Sequence, residues 1–306
     1  MVGVCISGGG AKIGFAVGVL EVMGEKGIKI DLSYGISSGS LCTAALCYAD
    51  VAFLKEILLS IEKRSDVLKS QGFKVFWTLL SGKGKADGWY EMDTMRRKLD
   101  LLPREEPRIK GVVGYVKLKS GEIVYKSSKQ TAKKEFLDAV QASCSIPAFM
   151  QSQRVGDDSY VDGGVRDVLP LRPLIRDDIK VDEVHVICLS PLLPAPAEAV
   201  KNIKDVALRS IDLLVNEVFQ NDYNYMVLIN KLIAQKQNLG KELQAWLDKK
   251  RYIKPFAYVP AKAVCDTTDF QRDKIQEGID HGREIALKVL SRYPDLPPEP
   301  SAKKPE

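Results

Sequence analysis

The chain has 306 residues, of which 45% are hydrophobic and 28% charged, and its formal net charge is +5. This composition is typical of a globular protein with a sizeable core, and the excess of positive charge is too small to indicate a nucleic-acid-binding protein. The six cysteines form no CxxC pair, which argues against zinc and thioredoxin-type sites and favours buried, reduced thiols.

The N-terminal sequence MVGVCISGGG lacks a basic region followed by an apolar one, so no secretory signal is predicted. No apolar run approaches the roughly 18 residues that a transmembrane helix requires. Reduced thiols are typical of a reducing compartment, so the protein is expected in the cytoplasm. Contact with a membrane would then be peripheral, from the surface.

Strands and helices alternate from the N-terminus. Residues 2–6 predict a buried strand, which the glycine-rich turn SGGGAK separates from a helix over residues 14–26. Residues 32–36 predict a second strand, followed by a turn of small residues and a helix from about Ser40. This order predicts an α/β protein with a parallel sheet.

The later elements are spaced less regularly. Residues 51–70 and EMDTMRRKLDLL predict helices, and GVVGYVKLKSGEIVYKSS predicts a hairpin. A helix (KKEFLDAVQASCSI), a short strand (SYVDGG) and a buried strand (VDEVHVICLS) follow. Residues 199–248 are mostly helical in pattern, and a strand (KPFAYVPA) and a closing helix come after them. The proline-rich residues 293–306 predict a disordered tail, so one globular domain is expected over residues 1–292.

Ser37 is the centre of a G-x-S-x-G motif, GISSG, whose glycines are Gly35 and Gly39. In a nucleophile elbow the serine lies at a sharp strand-to-helix turn, where the two backbones crowd each other and only glycine fits two positions away. The motif follows a predicted strand and precedes a predicted helix, as an elbow requires. A glycine-serine turn without a catalytic role is the alternative.

The loop after the first strand contains three consecutive glycines: Gly8, Gly9 and Gly10. A Rossmann turn would need glycine where Ile13 stands, and a Walker A loop would need Ser or Thr after Lys12. Consecutive glycines can also direct backbone N–H groups onto one anionic oxygen, which an acyl-transfer enzyme needs beside its nucleophile. If the first two strands are adjacent and parallel, this loop and Ser37 meet at one edge of the sheet.

A catalytic serine needs a base. His185 lies in a predicted buried strand and His281 in a predicted helix, so a structural role is the more natural explanation of each. Asp162 precedes Gly163 and Gly164, and this diglycine turn would let the backbone carry a carboxylate into a tight site. It would act as a base only if burial raised its pKa from the ordinary value of about 3.9.

A turn aspartate without a catalytic role is the alternative for Asp162, because Asp-Gly is a common turn dipeptide. The nearby Asp157, Asp158 and Asp167 are interpreted as solvated turn residues.

The stretches SGGGAKIGFAVGVLEVM, GISSGS and DGG, in this order, resemble the patatin-like phospholipase family. MDTMRRKLDL, ASCSIPAFM and VLPLRPL also occur in the family's order, and the resemblance covers roughly residues 3–195 and, more weakly, 255–290. It implies a three-layer α/β/α fold with a central, mostly parallel sheet. It also implies a lipid acyl hydrolase with a Ser-Asp dyad that needs no metal or other cofactor.

Carried over by position, the resemblance makes Ser37 the nucleophile and Asp162 the general base. It places the oxyanion hole at the three loop glycines, Gly8, Gly9 and Gly10. Lys12 stands where the family often has arginine, and Ile13 where it usually has glycine, with Gly14 one place later. The scarcity of histidine agrees with a dyad.

The implied substrate is a membrane phospholipid or another acyl lipid, cleaved through an acyl-enzyme intermediate. Residues 73–85 combine aromatic side chains with Lys83 and Lys85, which suits an interfacial segment or a lid, whereas packing onto the core is the alternative. Two other functions stay open. One is a serine esterase or thioesterase acting on soluble acyl substrates, and the other is a nucleotide-binding regulatory module in which SGGGAK binds phosphate.

Overall fold

The computed structural model of the chain describes residues 1–81, 87–155, 157–175, 180–193, 203–235, 240–291 and 293. Its strands are β1 (Val2–Ile6), β2 (Leu32–Ile36), β3 (Lys69–Ser70), β4 (Gly88–Glu91), β5 (Lys110–Lys117), β6 (Glu122–Ser127), β7 (Ala148–Met150), β8 (Gln153–Val155), β9 (Asp158–Asp162), β10 (Glu183–Ile187) and β11 (Lys254–Tyr258). Its helices are α1 (Ile13–Glu25), α2 (Ser38–Tyr48), α3 (Val51–Leu59), α4 (Gly72–Ser81), α5 (Asp93–Asp100), α6 (Lys133–Ser143), α7 (Ile203–Gln235), α8 (Lys241–Leu247) and α9 (Arg272–Leu290). The predicted tail beyond residue 293 lies outside the described residues, as do Lys83 and Lys85.

A mostly parallel sheet of eight strands forms the centre of the fold. Its order is β11-β10-β1-β2-β5-β9-β8, and β6 also pairs with β5. The strands from β11 to β5 are parallel, whereas β6 and β9 run antiparallel to β5. The predicted parallel adjacency of β1 and β2 is confirmed. The loops that follow these two strands therefore meet at one edge of the sheet.

Helices cover both faces of this sheet. Successive side chains of a strand point to opposite faces, and in β1 Val4 and Ile6 pack with α1, α2, α6 and α9, whereas Cys5 packs with α7. The three-layer α/β/α arrangement expected from the resemblance is confirmed. The mostly helical pattern of residues 199–248 corresponds to α7 and α8, and α7 belongs to the second layer.

The prediction of one helix over residues 51–70 is wrong. Helix α3 ends at Leu59, and the chain turns before β3 joins β4 and β7 in a small second sheet. The Asp66 carboxylate accepts the backbone N–H groups of Glu62 and Lys63 at 3.0 and 3.1 Å. Such local side-chain bonds compete with helical ones, and the apolar spacing does not reveal them.

Helices α1 and α9 are in direct backbone contact. A Cβ atom at Gly18 would lie 2.0 Å from the Ile279 carbonyl oxygen, and one at Gly282 would lie 2.1 Å from that of Phe15. Because only glycine fits at such distances, the closing helix is held tightly against the helix of the first crossover.

We expect Gly18→Ala to lower the free energy of unfolding by about 1–3 kcal/mol, because the added methyl group forces α1 and α9 apart. Gly24→Ala is the matched control on the same helix, since a Cβ there would meet nothing within 4 Å. That control should be neutral or stabilise by about 0.5–1 kcal/mol. Urea unfolding followed by circular dichroism measures both, and a Gly18→Ala protein as stable as the wild type would contradict the close contact.

Candidate active site

Ser37 lies at the turn between β2 and α2 in a strained conformation, with φ 52° and ψ −129°. Such a backbone costs about 1–3 kcal/mol for a residue other than glycine and persists only where the surroundings impose it. A Cβ atom at Gly35 would lie 2.2 Å from the Gly39 carbonyl oxygen, and one at Gly39 would lie 2.3 Å from that of Ile6. The backbones of β2, α2 and β1 thus crowd each other around the serine.

The end of α6 supports both Ser37 and Asp162. The Ser37 N–H donates to Ser143 Oγ at 2.9 Å, and Cys144 Sγ donates to the Ser37 carbonyl oxygen at 3.1 Å. The Asp162 N–H donates to the Ser145 carbonyl oxygen at 2.9 Å. Sequence reasoning did not assign a role to these three residues. They lie in ASCSIPAFM, one of the stretches that resemble the family, and its run of small and hydroxyl side chains is the local signal.

Strand β5 brings Asp162 level with Ser37. Ile36 of β2 pairs with Gly114, and the next residue of β5, Tyr115, pairs with Asp162 of β9. Because Ser37 follows Ile36, the serine and the aspartate stand at the same height on either side of β5. Gly114 leaves room for the side chain of Ile36, since a Cβ there would lie 2.6 Å from Ile36 Cδ1.

The side chains of Ser37 and Asp162 are buried beside each other, and Ser37 favours the charged form of the Asp162 carboxyl group. The two residues are 7% and 5% exposed, and the Gly164 N–H donates to Asp162 Oδ1 at 2.7 Å. Burial raises the pKa of Asp162 to about 7, although its hydrogen bonds with Ser37 and Gly164 favour the charged form. A carboxylate with a pKa near neutrality is suited to general-base catalysis, which an ordinary aspartate is not.

The glycine loop lies against Ser37, and its three backbone N–H groups differ in whether they have a hydrogen-bond acceptor. A Cβ atom at Gly8 would lie 3.0 Å from Ser37 Cβ, and the buried Gly8 N–H donates to the Val168 carbonyl oxygen at 3.3 Å. The half-exposed Gly9 and Gly10 have N–H groups with no acceptor among the described residues. These two amides are therefore the ones available to an oxyanion.

Two further predicted residues support this arrangement from outside. Lys12 Nζ donates to Ser190 Oγ at 3.2 Å, which ties the glycine loop to the loop after β10. A Cβ atom at Gly163 would lie 2.4 Å from the Gly114 carbonyl oxygen, so the turn after Asp162 packs directly on β5.

The two histidines lie away from Ser37. His185 is buried in β10, where its ring nitrogens bond Tyr258 Oη at 2.7 Å and Glu183 Oε1 at 2.9 Å. His281 in α9 accepts the Ala261 N–H at 3.1 Å. Among the described residues, the carboxyl group that lies beside the Ser37 side chain is that of Asp162.

The interpretation of Asp167 as a solvated turn residue is wrong. Asp157 is exposed and Asp158 is half-buried beside Lys117, but Asp167 is only 4% exposed and accepts a hydrogen bond from Tyr125 Oη. Partners that lie far away in the chain bury this carboxyl, and the turn sequence around it does not show them.

The family model of the patatin-like phospholipases matches residues 4–175, which include the glycine loop, Ser37 and Asp162. The chain belongs to the patatin-like phospholipase family. The crystal structure of VipD from Legionella pneumophila is similar to the whole fold, with a TM-score of 0.53 and 14% sequence identity. The match covers 95% of this chain and 67% of that one, and it supports a patatin-like fold. Membership of the family points to a hydrolase that acts on lipid esters.

Two further features concern the part of this patatin-like chain that the structure describes. No helix there is long and apolar enough to cross a bilayer. No group of three or more His, Cys, Asp or Glu side chains in the same ranges is arranged to hold a metal ion.

The raised pKa of Asp162 predicts how stability depends on pH. The folded state holds the proton up to about pH 7, whereas the ordinary carboxyl releases it near 3.8. Stability from this group is therefore full below about pH 4 and is lost as the pH rises through 7. Asp162→Asn should raise the free energy of unfolding at pH 8 by about 1–3 kcal/mol and give no gain at pH 4.

Urea unfolding of the wild type and of Asp162→Asn at both pH values measures this difference. An Asn variant that is less stable than the wild type at pH 8 would contradict the inference that the buried, charged Asp162 carboxylate destabilises the folded state.

Proposed function

We propose that the protein hydrolyses fatty acyl esters of lipids, as a phospholipase A does, with Ser37 as the nucleophile and Asp162 as the general base. The observation that supports this most directly is that these two side chains are buried beside each other, with Ser37 favouring the charged form of Asp162, in a chain of the patatin-like family. The raised pKa of Asp162 matches the need for a base that accepts a proton near neutral pH.

In the first half of the reaction, Asp162 accepts the proton of Ser37 Oγ as this oxygen attacks the ester carbonyl carbon. The carbonyl electron pair moves onto its oxygen, and the N–H groups of Gly9 and Gly10 stabilise the resulting oxyanion. Collapse of the tetrahedral intermediate breaks the ester bond. The departing alcohol takes the proton from Asp162 and leaves an acyl-Ser37.

In the second half, Asp162 accepts a proton from a water molecule that attacks the acyl carbonyl. The same two amides stabilise the second oxyanion. The fatty acid then leaves as Ser37 Oγ regains its proton from Asp162, so the enzyme returns to its starting state.

We expect Ser37→Ala and Asp162→Asn each to lower kcat on a p-nitrophenyl acyl ester by at least about 10³-fold, because each removes one half of the nucleophile–base pair. Ser38→Ala is the matched control. Its buried hydroxyl has no hydrogen-bond partner among the described residues, and its loss should leave kcat near the wild-type value.

Labelling with an acyl phosphonate, followed by mass spectrometry of the peptides, locates the nucleophile. The adduct should form on Ser37 in the wild type and in Ser38→Ala and should be absent from Ser37→Ala. Hydrolysis that survives either dyad substitution, or an adduct elsewhere in the chain, would contradict the assignment.

An aromatic surface on α4 and β4 suits peripheral contact with a lipid bilayer. Phe73 is 76% exposed, Trp77 51% and Trp89 44%, and the rings of Phe73 and Trp77 are in edge-on contact at 6.3 Å. The Trp89 ring borders the start of the same helix, 3.9 Å from where a Cβ at Gly72 would lie. With the exposed Lys69 on the preceding strand, this surface combines aromatic rings with positive charge, as membrane-bound segments do.

Replacing both Phe73 and Trp77 with serine should weaken binding to phosphatidylglycerol vesicles by at least about tenfold, because two large apolar groups lose their burial in lipid. Leu118→Ser, which changes a 53% exposed leucine elsewhere on the surface, is the control. Co-sedimentation and hydrolysis of vesicle lipids measure the effect, while kcat on a monomeric short-chain ester should not change. A wild type that hydrolyses monomeric esters as well with vesicles as without them would instead favour a soluble acyl substrate.

A further inference from the structure

A buried pair of acidic residues lies next to the turn that follows Asp162. It joins Asp167, from this turn, with Asp222 of α7, and the two residues are 4% and 1% exposed. Their carboxyl groups form a hydrogen bond with each other. A deprotonated carboxylate only accepts hydrogen bonds, so this bond requires a proton on one of the two groups.

The surroundings of Asp167 agree with a shared proton. Tyr125 Oη donates to Asp167 Oδ2, whereas the other oxygen, Oδ1, is buried and receives no amide, hydroxyl or cationic donor among the described residues. The proton on Asp222 is the donor that remains for this carboxyl. Burial and the charge of Asp167 raise the pKa of Asp222 to about 8, so the pair retains its proton at neutral pH.

The other groups that face the pair do not compete for this proton. Arg172 Nε lies 3.4 Å from Asp222 Oδ1, on a side chain that is 60% exposed. Burial raises the pKa values of Tyr125 on β6 and Cys5 on β1 well above their ordinary range, so both remain neutral. The carboxyl pair is therefore the part of the cluster that titrates above neutrality.

Asp222 is linked to the glycine loop by two successive hydrogen bonds. Its Oδ2 accepts the Val168 N–H at 3.2 Å and the Leu169 N–H at 3.4 Å. The Val168 carbonyl oxygen in turn accepts the Gly8 N–H at 3.3 Å, and Gly8 lies against Ser37. The turn is also fixed to the dyad, because the Asp167 N–H donates to the Gly163 carbonyl oxygen at 3.0 Å.

We propose that Asp222 is a positioning residue for ester hydrolysis, which in its protonated form, paired with Asp167, holds Val168 and through it the glycine loop in place beside Ser37. Helix α7 then forms part of the frame of the active site. Loss of the shared proton places two buried like charges side by side and loosens this hold, so the oxyanion donors lose their alignment at alkaline pH. The inference rests on the proposed function only where hydrolysis is the readout.

The test compares the wild type with Asp222→Asn and Asp222→Ala on a soluble acyl ester between pH 6 and pH 10. The wild type should lose kcat as the pH rises through about 8. The Asn amide donates to Asp167 and its oxygen accepts both N–H groups at every pH. This variant should therefore keep kcat at pH 7 within about threefold and lose the alkaline decline. The Ala variant should lower kcat at least tenfold with little change in KM.

Amide hydrogen exchange gives a readout that needs no turnover. Peptides covering residues 7–12 and 167–169 should exchange faster in Asp222→Ala than in the wild type and at the wild-type rate in Asp222→Asn. Glu217→Ala, which removes an exposed acid from the same helix, is the control and should change neither exchange nor the pH profile.

An Asn variant that keeps the alkaline decline of the wild type would overturn the proposal, and it does so even if the Ala variant fails to fold. Unchanged exchange in a folded Ala variant would overturn it as well, whether or not esters are hydrolysed. Failure of the proposed function looks different, because neither the wild type nor any variant would then turn over the ester or be labelled at Ser37.

Discussion

The pairing of two strands on β5 is the constraint on which the rest of the site depends. β2 pairs with it in parallel and β9 antiparallel, and the two registers bring Ser37 and Asp162 to the same height. A slip of one residue in either register would turn every side chain of that strand to the other face of the sheet. Gly163 packs directly on the backbone of β5 at this level, since a Cβ there would lie 2.4 Å from the Gly114 carbonyl oxygen.

Burial raises the pKa values of both Asp162 and Asp222, but the two carboxyl groups are needed in opposite protonation states. In the proposed reaction Asp162 acts only when it is deprotonated, above about pH 7, whereas Asp222 keeps its proton up to about pH 8. Each carboxyl group destabilises the folded state only where it is charged, so Asp162 costs stability above about pH 7 and Asp222 above about pH 8. The strained backbone of Ser37 also costs stability, and the close backbone contacts of Gly35 and Gly39 on either side of the turn impose it.

The sequence alone predicts the parts of the fold whose signals are local. The strands β1 and β2 and the helices after them follow from apolar runs bounded by glycine turns, and the three motifs predict which residues cluster at the sheet edge. The direction of β9 has no local signal, although it decides where Asp162 lies. The burial of Asp167 and the support from Ser143 arise from partners elsewhere in the chain, which turn chemistry and apolar spacing do not reveal.

Ser37 and Asp162, the proposed dyad, belong to parts of the sheet that are anchored by different numbers of strand pairs. Ser37 follows a central strand with five paired rungs to β5, whereas β9 has three and lies beside the short edge strand β8. Regions with fewer pairs open at lower free energy than the core does. A partial opening at this margin would detach the carboxylate from the hydroxyl while most of the helices stay folded. Inactivation by heat or denaturant would then come before the cooperative loss of secondary structure.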